Sequence, residues 1–541
     1  MRPPAAGQGM PCAREKPLIL HADTIPDGEI VQADVCIVGG GAVGLQMARR
    51  LIAAGMQVVI AESGEEEASQ RAQDLNIGTQ SGRNAGGLRD IRLRQLGGTM
   101  HLWGGNCRPL DPIDFRPRDW VPNSGWPLSY ADMAPYFEAA HGLLRLEEFT
   151  YWPEAPSLVT DPGPAQPFEE TLFRLTRFVP GTRAPFLGEF SQYHAEELRN
   201  SDRLRILVGA NVSQIFLTED RRSVRELYAL TFQGRELHLR AKAYVFACGG
   251  IETARLLLAS REDMPTGIGN QGDSLGRYFM EHPHGLAAFM IAEKSQVPAL
   301  RPFSPGIRVG DAVIHRRIRL ADHTQRELGL LNMIFQLIAV NMKPHEQNQY
   351  EPHFRALEAT VEDAANWQRY YVVFLAEQFP SRDSRVTLGA ETDFFGMPRA
   401  DLNWQVGDLD FKTVSTALSL LGEHVFTAPH FRMKGHIART TKDWLVGHGA
   451  HHLGTTRMSL TPKEGVVDRD CRIHGLSNGF CAGSSVFPTA GMSNPMLTSL
   501  AIGLRLARHL ESNLPFMPAP DAKQAPRRPR EFEESATAAM A

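Results

Sequence analysis

The segment "ADVCIVGGGAVGLQMARRLIAAGMQVVIAESG", residues 33–64, constrains the fold more than any other part of the chain. An apolar run from Val35 to Val38 is typical of a buried parallel strand. A G-x-G-x-x-G spacing then opens a segment with apolar residues at helical intervals, and a second apolar run ends at Glu62. A strand, a glycine-rich turn, a helix and a strand in this order predict an α/β fold of the Rossmann type.

Each glycine of this motif has its own physical role. Gly39 makes the turn, Gly41 lets the backbone approach a pyrophosphate, and Gly44 lets the helix pack on the strand. The helix N-terminus supplies N–H groups to the phosphates. Glu62 lies 18 residues after Gly44, where a carboxylate binds a ribose hydroxyl. The sequence therefore predicts a dinucleotide site rather than a purely structural turn, formed by Gly39, Gly41, Ala42, Val43, Gly44, Glu62 and Ser63.

Length, charge and hydropathy exclude several other classes of protein. A chain of 541 residues exceeds the size of one growing hydrophobic core, so two or more domains are expected. A net charge of −4 gives no basis for binding nucleic acid or an anionic membrane. The longest apolar stretch, 328–340, is shorter than the roughly 20 residues of a membrane span.

The cysteines and the first residues of the chain bear on its location. Six cysteines without CxxC spacing favour free thiols in a reducing compartment. Residues 1–30 lack the apolar core of a signal peptide and have no twin-arginine pair. We therefore expect a cytoplasmic protein. The proline-rich, charged residues 513–541 predict a disordered tail.

A second segment, 240–260, is a strand running into Gly249 and then a helix. A late strand of this kind returns to the nucleotide sheet in two-domain flavoproteins, which favours FAD over NAD. Ahead of it, residues 204–217 and 227–239 alternate like hairpin strands. These segments add Val212, Ala247 and Gly249 to the predicted nucleotide site.

Three histidines, His448, His451 and His452, lie within "GHGAHHLGTTRM", residues 447–458. They are consistent with metal ligands, with a catalytic base and a neighbour, or with buried structural imidazoles. The H-x-x-H-H spacing is not a zinc motif, so we expect no metal. His282 and His284, in "EHPHG", fit a strand entering a second domain better than a metal pair.

Three motifs in order resemble the glucose–methanol–choline (GMC) oxidoreductases, FAD enzymes that oxidise alcohols and sugars. These are the βαβ start, "RLRQLGGTMHLWGGNCRPLDPIDF" at 92–115, and a C-terminal block from 451 to 510 that contains "HHLGTTRM" and "SNPMLT". The similarity is greatest to the bacterial branch with pyranose and fructose oxidoreductases. It covers both ends of the chain well and the middle poorly, where only 384–404 looks familiar.

The resemblance implies roles for individual residues. His451 corresponds to the base that takes the hydroxyl proton as hydride leaves for flavin N5, and Asn494 to the second active-site residue. Residues along the flavin are implied to be Gly97, Gly98, Thr99, His101, Leu102, Trp103, Gly104, Gly483, Ser484, Pro495 and Met496. Covalent members attach the flavin through a histidine at the position of Leu102, so we predict non-covalent FAD.

Asn494 has a second interpretation, because asparagine is among the best N-cap residues and a helix is predicted to follow Pro495. Capping and an active-site role both remain open on sequence grounds. His452 and Gln378 are the predicted substrate contacts.

The predicted architecture is a discontinuous Rossmann-type FAD-binding domain plus an α+β substrate domain with an antiparallel sheet. The FAD domain comprises 31–282 and 441–512, with loops at 116–200 partly covering the flavin; the substrate domain is 283–440. Residues 1–30 form an N-terminal extension. In the substrate domain, 369–378 and 384–390 are predicted strands of one sheet over the flavin.

The predicted activity is oxidation of a secondary alcohol on a sugar, glycoside or related polyol, with oxygen, a quinone or another acceptor reoxidising the flavin. A homo-oligomer or a small partner subunit is compatible with the sequence. Two alternatives stay open. One is a non-redox lyase on the same scaffold, and the other is a flavin subunit that passes electrons to a partner protein; a catalytically silent FAD-binding scaffold is a more distant third.

Overall fold

A computed structural model describes most of the chain. The described residues are 19–146, 148–153, 166–175, 201–310, 312–340, 349–436, 447, 449–517, 519, 521 and 523–529. Much of the predicted flavin-covering segment 116–200 and the side chain of His448 lie outside them. Among the described residues, no helix combines the length and apolar character that crossing a bilayer requires.

The described elements follow one another along the chain with short connections. The strands are β1 Ile19–His21, β2 Glu29–Val38, β3 Val58–Glu62, β4 Thr79–Gln80, β5 Asn106–Cys107, β6 Phe168–Leu175, β7 Leu204–Val208, β8 Asn211–Leu217, β9 Val224–Leu230, β10 Glu236–Phe246, β11 His284–Glu293, β12 Ile307–Val309, β13 Ala312–Leu320, β14 Met333–Ala339, β15 Trp367–Ala376, β16 Arg385–Thr392, β17 Pro398–Asn403, β18 Phe431–Gly435 and β19 Gly479–Cys481. The helices are α1 Ala42–Ala53, α2 Gln70–Asp74, α3 Pro112–Phe115, α4 Tyr130–Leu143, α5 Gly249–Ala259, α6 Val297–Leu300, α7 Asp322–Leu328, α8 Glu351–Glu358, α9 Asp408–His424 and α10 Met496–Asn513. Single 3₁₀ turns span Ala22–Thr24, Gly98–Leu102, Lys294–Gln296, Ala364–Asn366, Ser484–Val486 and Leu514–Phe516.

The first sheet is the α/β sheet that the βαβ motif predicts. Its strand order is β1-β7-β3-β2-β10-β9-β8, with β19 also pairing with β10. The pairs from β1 to β10 are parallel, as is β10 with β19, and the hairpin β8–β9 continues the edge in antiparallel fashion. Strand β3 is buried along its whole length, as its continuous apolar run requires. The prediction of a Rossmann-type fold is confirmed.

Helices α1 and α10 pack against each other beside this sheet. Leu497, Leu500 and Ala501 of α10 are buried, in agreement with the predicted apolar face. The close contact depends on Gly503, where an added Cβ would lie 2.8 Å from a side-chain carbon of Val43. The C-terminal helix is therefore anchored to the first helix of the nucleotide motif.

The second sheet is antiparallel, with the order β18-β11-β15-β14-β13-β6-β5 and β12 pairing with β13. One face of its central strands packs on α9, through Val414, Ala417 and Leu421. The substrate domain was predicted to hold an antiparallel sheet, and the sheet is present. It also takes β5 and β6 from the segment 31–282, whereas the predicted domain boundaries themselves stay a prediction.

A third, three-stranded sheet has the order β16-β17-β4. The prediction that 369–378 and 384–390 belong to one sheet was therefore wrong, because β15 and β16 pair with different partners. A second difference concerns the predicted hairpin region, where β7 inserts in parallel between β1 and β3 and only β8 and β9 form a hairpin. Strand β1 comes from the predicted N-terminal extension.

Part of the C-terminal segment predicted as disordered contacts the first sheet. Arg527 forms an ion pair with Asp263 at 2.9 Å, and its guanidinium lies 4.3 Å from the ring centroid of Phe216. Arg240 donates hydrogen bonds to the backbone oxygens of Asp521 and Gln524. These charged contacts were not visible as a pattern in the tail sequence.

Candidate active site

A cleft opens where β2 meets α1, and its shape depends on the three motif glycines. At Gly39, with φ 106°, an added Cβ would lie 2.6 Å from the backbone oxygen of Ala247. At Gly44 it would lie 2.1 Å from the oxygen of Gly39. At Gly41 it would meet nothing within 4 Å, because this residue faces the open cleft. The turn is thus packed behind and open in front, which fits a backbone that cradles phosphates.

Most residues predicted for the cofactor line this cleft, the nucleotide cavity. They are Gly39, Gly41, Ala42, Val43, Glu62, Ser63, Gly97, Gly98, Thr99, Val212, Ala247, Gly249, Gly483, Ser484 and Met496. They come from β2, α1, β3, β8, β10 and the C-terminal block, which are distant in sequence. Gly44 is the exception within the motif, since it packs behind the turn instead.

Glu62, at the end of β3, is buried at the edge of the nucleotide cavity. Its two carboxylate oxygens accept hydrogen bonds from the backbone N–H groups of Gly40 and Gly64, each at 2.7 Å. Burial raises the pKa of Glu62, and the two N–H donors oppose that rise. The carboxylate therefore holds the glycine turn in place while it borders the space for a nucleoside.

A second cavity, of about 590 Å³, adjoins the first and is called the substrate cavity below. The two cavities share Thr99, Gly249, Gly250, His452, Ser484, Met496 and Ser499. The substrate cavity is also lined by Leu102, Trp103, Gly104 and Pro495 from the predicted cofactor set, and by both predicted catalytic residues. One continuous space thus runs from the phosphate turn to His451.

His451 and Asn494 are brought together in the substrate cavity. The side-chain nitrogen of Asn494 lies 3.1 Å from Nε2 of His451. Asn494 does not cap the following helix, because α10 begins with Pro495 at its N-cap position and has no side-chain capping bond. Of the two sequence interpretations of Asn494, the geometry agrees with contact to the histidine.

A third residue, His282, determines which nitrogen of His451 carries the proton. Nε2 of His282 lies 2.9 Å from the backbone oxygen of Gly491, so this nitrogen must donate. Its Nδ1, 2.9 Å from Nδ1 of His451, is then the acceptor, and Nδ1 of His451 the donor. A neutral His451 therefore presents the lone pair of Nε2 toward Asn494, an assignment that follows from the hydrogen-bond network.

The electrostatics of this histidine pair depend on burial. His282 is fully buried, and burial lowers its pKa to about 4, so the ring is neutral at physiological pH. Glu281, its neighbour, accepts a hydrogen bond from the N–H of Gly449 at 2.6 Å and another from the N–H of His451. Burial raises the pKa of Glu281 to about 8. Glu281 fixes the backbone turn that presents His451, while His282 fixes the ring.

Four of the sequence predictions lie elsewhere. His101 lines neither cavity, and its Nε2 binds the backbone oxygen of Leu96 at 3.0 Å. Gln378 is buried away from both cavities, where its oxygen accepts from the N–H of Glu281 and its nitrogen donates to the oxygen of Gln405. The structure thus gives no support to a substrate contact by Gln378. His452 lines both cavities, and His284 begins β11 and lines the substrate cavity.

Sequence reasoning missed the role of His282 and the floor of the substrate cavity. The floor is formed by one face of the second sheet and includes Arg317, which no motif marks. The pair "EHPHG" did signal His282, but its contact with His451 spans 169 residues. Among the described residues, no group of three or more histidine, cysteine or acidic side chains is placed to hold a metal ion.

Comparison with known proteins agrees with this arrangement. Residues 380–503 match the family model described as GMC oxidoreductase, and residues 34–155 match the one described as FAD dependent oxidoreductase. The nucleotide cavity fits FAD, since the open turn at Gly41 and the buried Glu62 border it. The chain belongs to the GMC family of FAD-dependent oxidoreductases, which act on the CH–OH groups of alcohols and sugars.

Individual relatives extend over nearly the whole chain. The 6'''-hydroxyparomomycin C oxidase of Streptomyces lividus is 26% identical over 91% of this chain and 94% of its own length. The fructose dehydrogenase large subunit of Gluconobacter japonicus is 22% identical over 90% of this chain and 99% of its own length. Among solved structures, pyridoxine 4-oxidase from Mesorbium loti has a TM-score of 0.54 at 18% identity, covering 88% of this chain and 99% of that protein, and shows the same fold.

Proposed function

We propose that this protein oxidises a secondary alcohol of a sugar, glycoside or related polyol to a ketone, with His451 as the base. The observation that carries the proposal is the pairing of His451 Nε2 with the amide of Asn494, in a cavity continuous with the nucleotide cavity. A bound FAD supplies the hydride acceptor for the alcohol carbon. Every other requirement of the reaction falls on side chains and backbone of this chain.

The two polar groups divide the work at the alcohol oxygen. The lone pair of His451 Nε2 accepts the hydroxyl proton, and the amide of Asn494 donates a hydrogen bond to the oxygen without adding charge. The imidazolium that results is stabilised through its Nδ1–H, which donates to the neutral ring of His282. The N-terminus of α10, with Met496 at the cavities, adds positive potential where negative charge develops.

The attachment of FAD is proposed to be non-covalent. Leu102, at the position where a resemblance to covalent family members would require histidine, lines the substrate cavity and offers no nucleophile. His101, one position earlier, lines neither cavity and binds its own backbone at Leu96. Neither side chain therefore supports a bond to the flavin.

Electron acceptors and partners are proposed from the relatives. Their printed names include both oxidases and dehydrogenases, so oxygen, a quinone or another acceptor remains compatible with the second half-reaction. The fructose dehydrogenase relative is a large subunit, which supports the proposal that a small partner subunit can accompany this chain. A cytoplasmic location remains a proposal from the sequence.

The experiment that tests the function is anaerobic titration of the purified holoprotein with monosaccharides, glycosides and simple alcohols, followed in the visible flavin band. We expect one class to bleach it. His451→Ala should lower the rate of flavin reduction at least about 100-fold while FAD stays bound, which is the low end for a general base. The control His430→Ala removes an exposed histidine that pairs with Glu293 and should leave the rate unchanged. A rate unaffected in His451→Ala contradicts the base assignment, and a band that nothing bleaches favours the lyase alternative.

A further inference from the structure

The floor of the substrate cavity is one face of the second sheet, and most of it is apolar. Neighbouring strands contribute Phe173, Ile334, Val373 and Leu375, and Trp103 borders the cavity from another side. Against this background Arg317 of β13 contributes a guanidinium, and its side chain is 2% exposed. A buried cation on an apolar floor needs an electrostatic reason.

Arg317 has no carboxylate partner among the described residues. Its Nη1 donates to the backbone oxygen of Arg316 at 3.2 Å, and its guanidinium lies 5.8 Å from the ring centroid of Phe173. Burial alone lowers the pKa of Arg317 to about 9, with no acidic group offsetting it. Several arginines buried to a similar degree do pair with carboxylates, namely Arg108, Arg118, Arg240, Arg255 and Arg319.

The guanidinium therefore has donors available on the side that faces the substrate cavity. Its planar fork matches the geometry of a carboxylate and can bind it through two parallel hydrogen bonds. One cation on an otherwise apolar floor balances a single negative charge, which favours a carboxylate over a phosphate monoester. A cationic amino sugar is disfavoured because like charges in a low-dielectric site repel.

We propose that the substrate is a hydroxylated carboxylate, such as a sugar acid, whose carboxylate binds Arg317 while its alcohol carbon lies at His451 and Asn494. The inference rests on the proposed function, since it names the substrate class for the same site. The carboxylate is unchanged by the reaction. The hydroxyl group alone loses its proton to His451 and its carbon-bound hydrogen as hydride to the cofactor.

The first test measures binding without turnover. Cyclohexanecarboxylate and the neutral cyclohexanecarboxamide are titrated into the holoprotein, and binding is read from the perturbed flavin absorbance. Because charge-assisted hydrogen bonds exceed neutral ones by about an order of magnitude in affinity, we expect the carboxylate to bind at least about tenfold more tightly. Arg317→Gln should remove that preference. The control Arg308→Gln, on the exposed strand β12, makes the same charge change and should keep it.

Arg317→Lys is the second variant, since it keeps the charge if Arg317→Gln fails to fold. It should retain a preference for the carboxylate that is weaker than in the unmodified protein, because a point charge replaces the fork. Equal binding of the two probes by the unmodified protein, or a preference that survives Arg317→Gln, overturns the proposal.

The oxidation test separates this proposal from the function on which it rests. Methyl glucoside is compared with the methyl glycoside of glucuronic acid in the anaerobic assay, and sugar acids and neutral sugars are compared as groups. Bleaching by the acids at lower concentration supports the proposal. Bleaching by neutral sugars alone overturns the substrate class and leaves the oxidoreductase function standing. Arg317-dependent binding of the carboxylate probe without bleaching by any alcohol contradicts the proposed function and leaves the anion site standing.

Discussion

His451 is held between two polar side chains that come from different parts of the chain. Asn494 meets one ring nitrogen and His282 the other, so the imidazole has little freedom to rotate. Because His282 donates to the backbone at Gly491, its own tautomer is fixed as well. A base that must present one particular lone pair gains from both restrictions, since misdirected tautomers do not accept the substrate proton.

His282 is therefore a positioning residue, and its substitution by leucine and by glutamine should have different effects. Leucine removes the acceptor for His451 Nδ1–H and should lower the rate of flavin reduction about tenfold or more, given the usual contribution of a buried hydrogen bond to a charged group. Glutamine supplies a carbonyl oxygen toward His451 and an amide toward Gly491, and should restore most of the rate. The measurement is the limiting reduction rate between pH 5 and 9.

The pH profile distinguishes positioning from a merely structural role. In His282→Leu the imidazolium form of His451 loses a hydrogen-bond acceptor, so the apparent pKa of the rate should fall and the rate should hold to lower pH. In the unmodified protein His282 itself stays neutral above about pH 5, because burial lowers its pKa to about 4. An unshifted profile with an equal loss of rate in both variants would contradict the positioning role.

Sequence reasoning reached some of these residues and not others, for a physical reason. His451 and Asn494 lie in motifs with short, recognisable spacing. Arg317 lies in an alternating strand, where any polar residue on the sheet face has the same local pattern. Its place in the cavity depends on strand pairing with β6 and β14, which a local sequence pattern does not encode.

At the scale of elements, the turn between β2 and α1 separates two demands placed on glycine. Gly44 is needed for packing, because an added Cβ would lie 2.1 Å from the backbone oxygen of Gly39. Gly41 is needed for approach, because it faces the open nucleotide cavity with φ −76° and ψ −177°, a conformation that alanine also adopts. The same motif thus contains one glycine for the fold and one for the ligand.

Gly41→Ala and Gly44→Ala should consequently fail in different ways. Gly41→Ala fills space at the phosphate cradle and should weaken FAD binding at least about tenfold, while the apoprotein keeps its stability to within about 0.5 kcal/mol. Gly44→Ala should lower the free energy of unfolding of the apoprotein by roughly 1–3 kcal/mol through overpacking. FAD titration by fluorescence and urea unfolding of the apoproteins measure the two effects. Loss of apoprotein stability in Gly41→Ala would contradict the distinction.

Elements were predictable where the local pattern determines the partner. The βαβ unit pairs its own strands, so its sheet, its helix and its glycine roles followed from 33–64 alone. Strand β7 has the same alternation as the hairpin strands after it, yet it inserts beside β3 because that edge of the parallel sheet accepts a strand. Strands β15 and β16 likewise look alike, and long-range pairing places them in separate sheets.

At the scale of the whole molecule, the two cavities lie where both large sheets meet. The nucleotide cavity is lined from the first sheet and the C-terminal block, and the substrate cavity adds the face of the second sheet that is opposite α9. Segments separated by hundreds of residues therefore contribute to one continuous site. A ligand that spans the two cavities contacts each of them, so its binding free energy stabilises the arrangement of the whole chain.

This coupling predicts that non-covalent FAD contributes directly to stability. Trichloroacetic acid precipitation should leave the yellow flavin in the supernatant, because neither Leu102 nor His101 is placed to form a bond to it. Apoprotein prepared by acid removal of the cofactor should regain about 2.7 kcal/mol in the free energy of unfolding when FAD is added at 100 times its dissociation constant. Urea unfolding, followed by tryptophan fluorescence and by release of flavin, measures the gain. A yellow pellet would refute the non-covalent assignment, whereas a dissociable flavin without stabilisation would mean that the cavities form fully in the apoprotein and in its unfolded reference bind FAD equally. Coincident transitions by both probes are expected, since a site lined by both sheets is lost when either one unfolds.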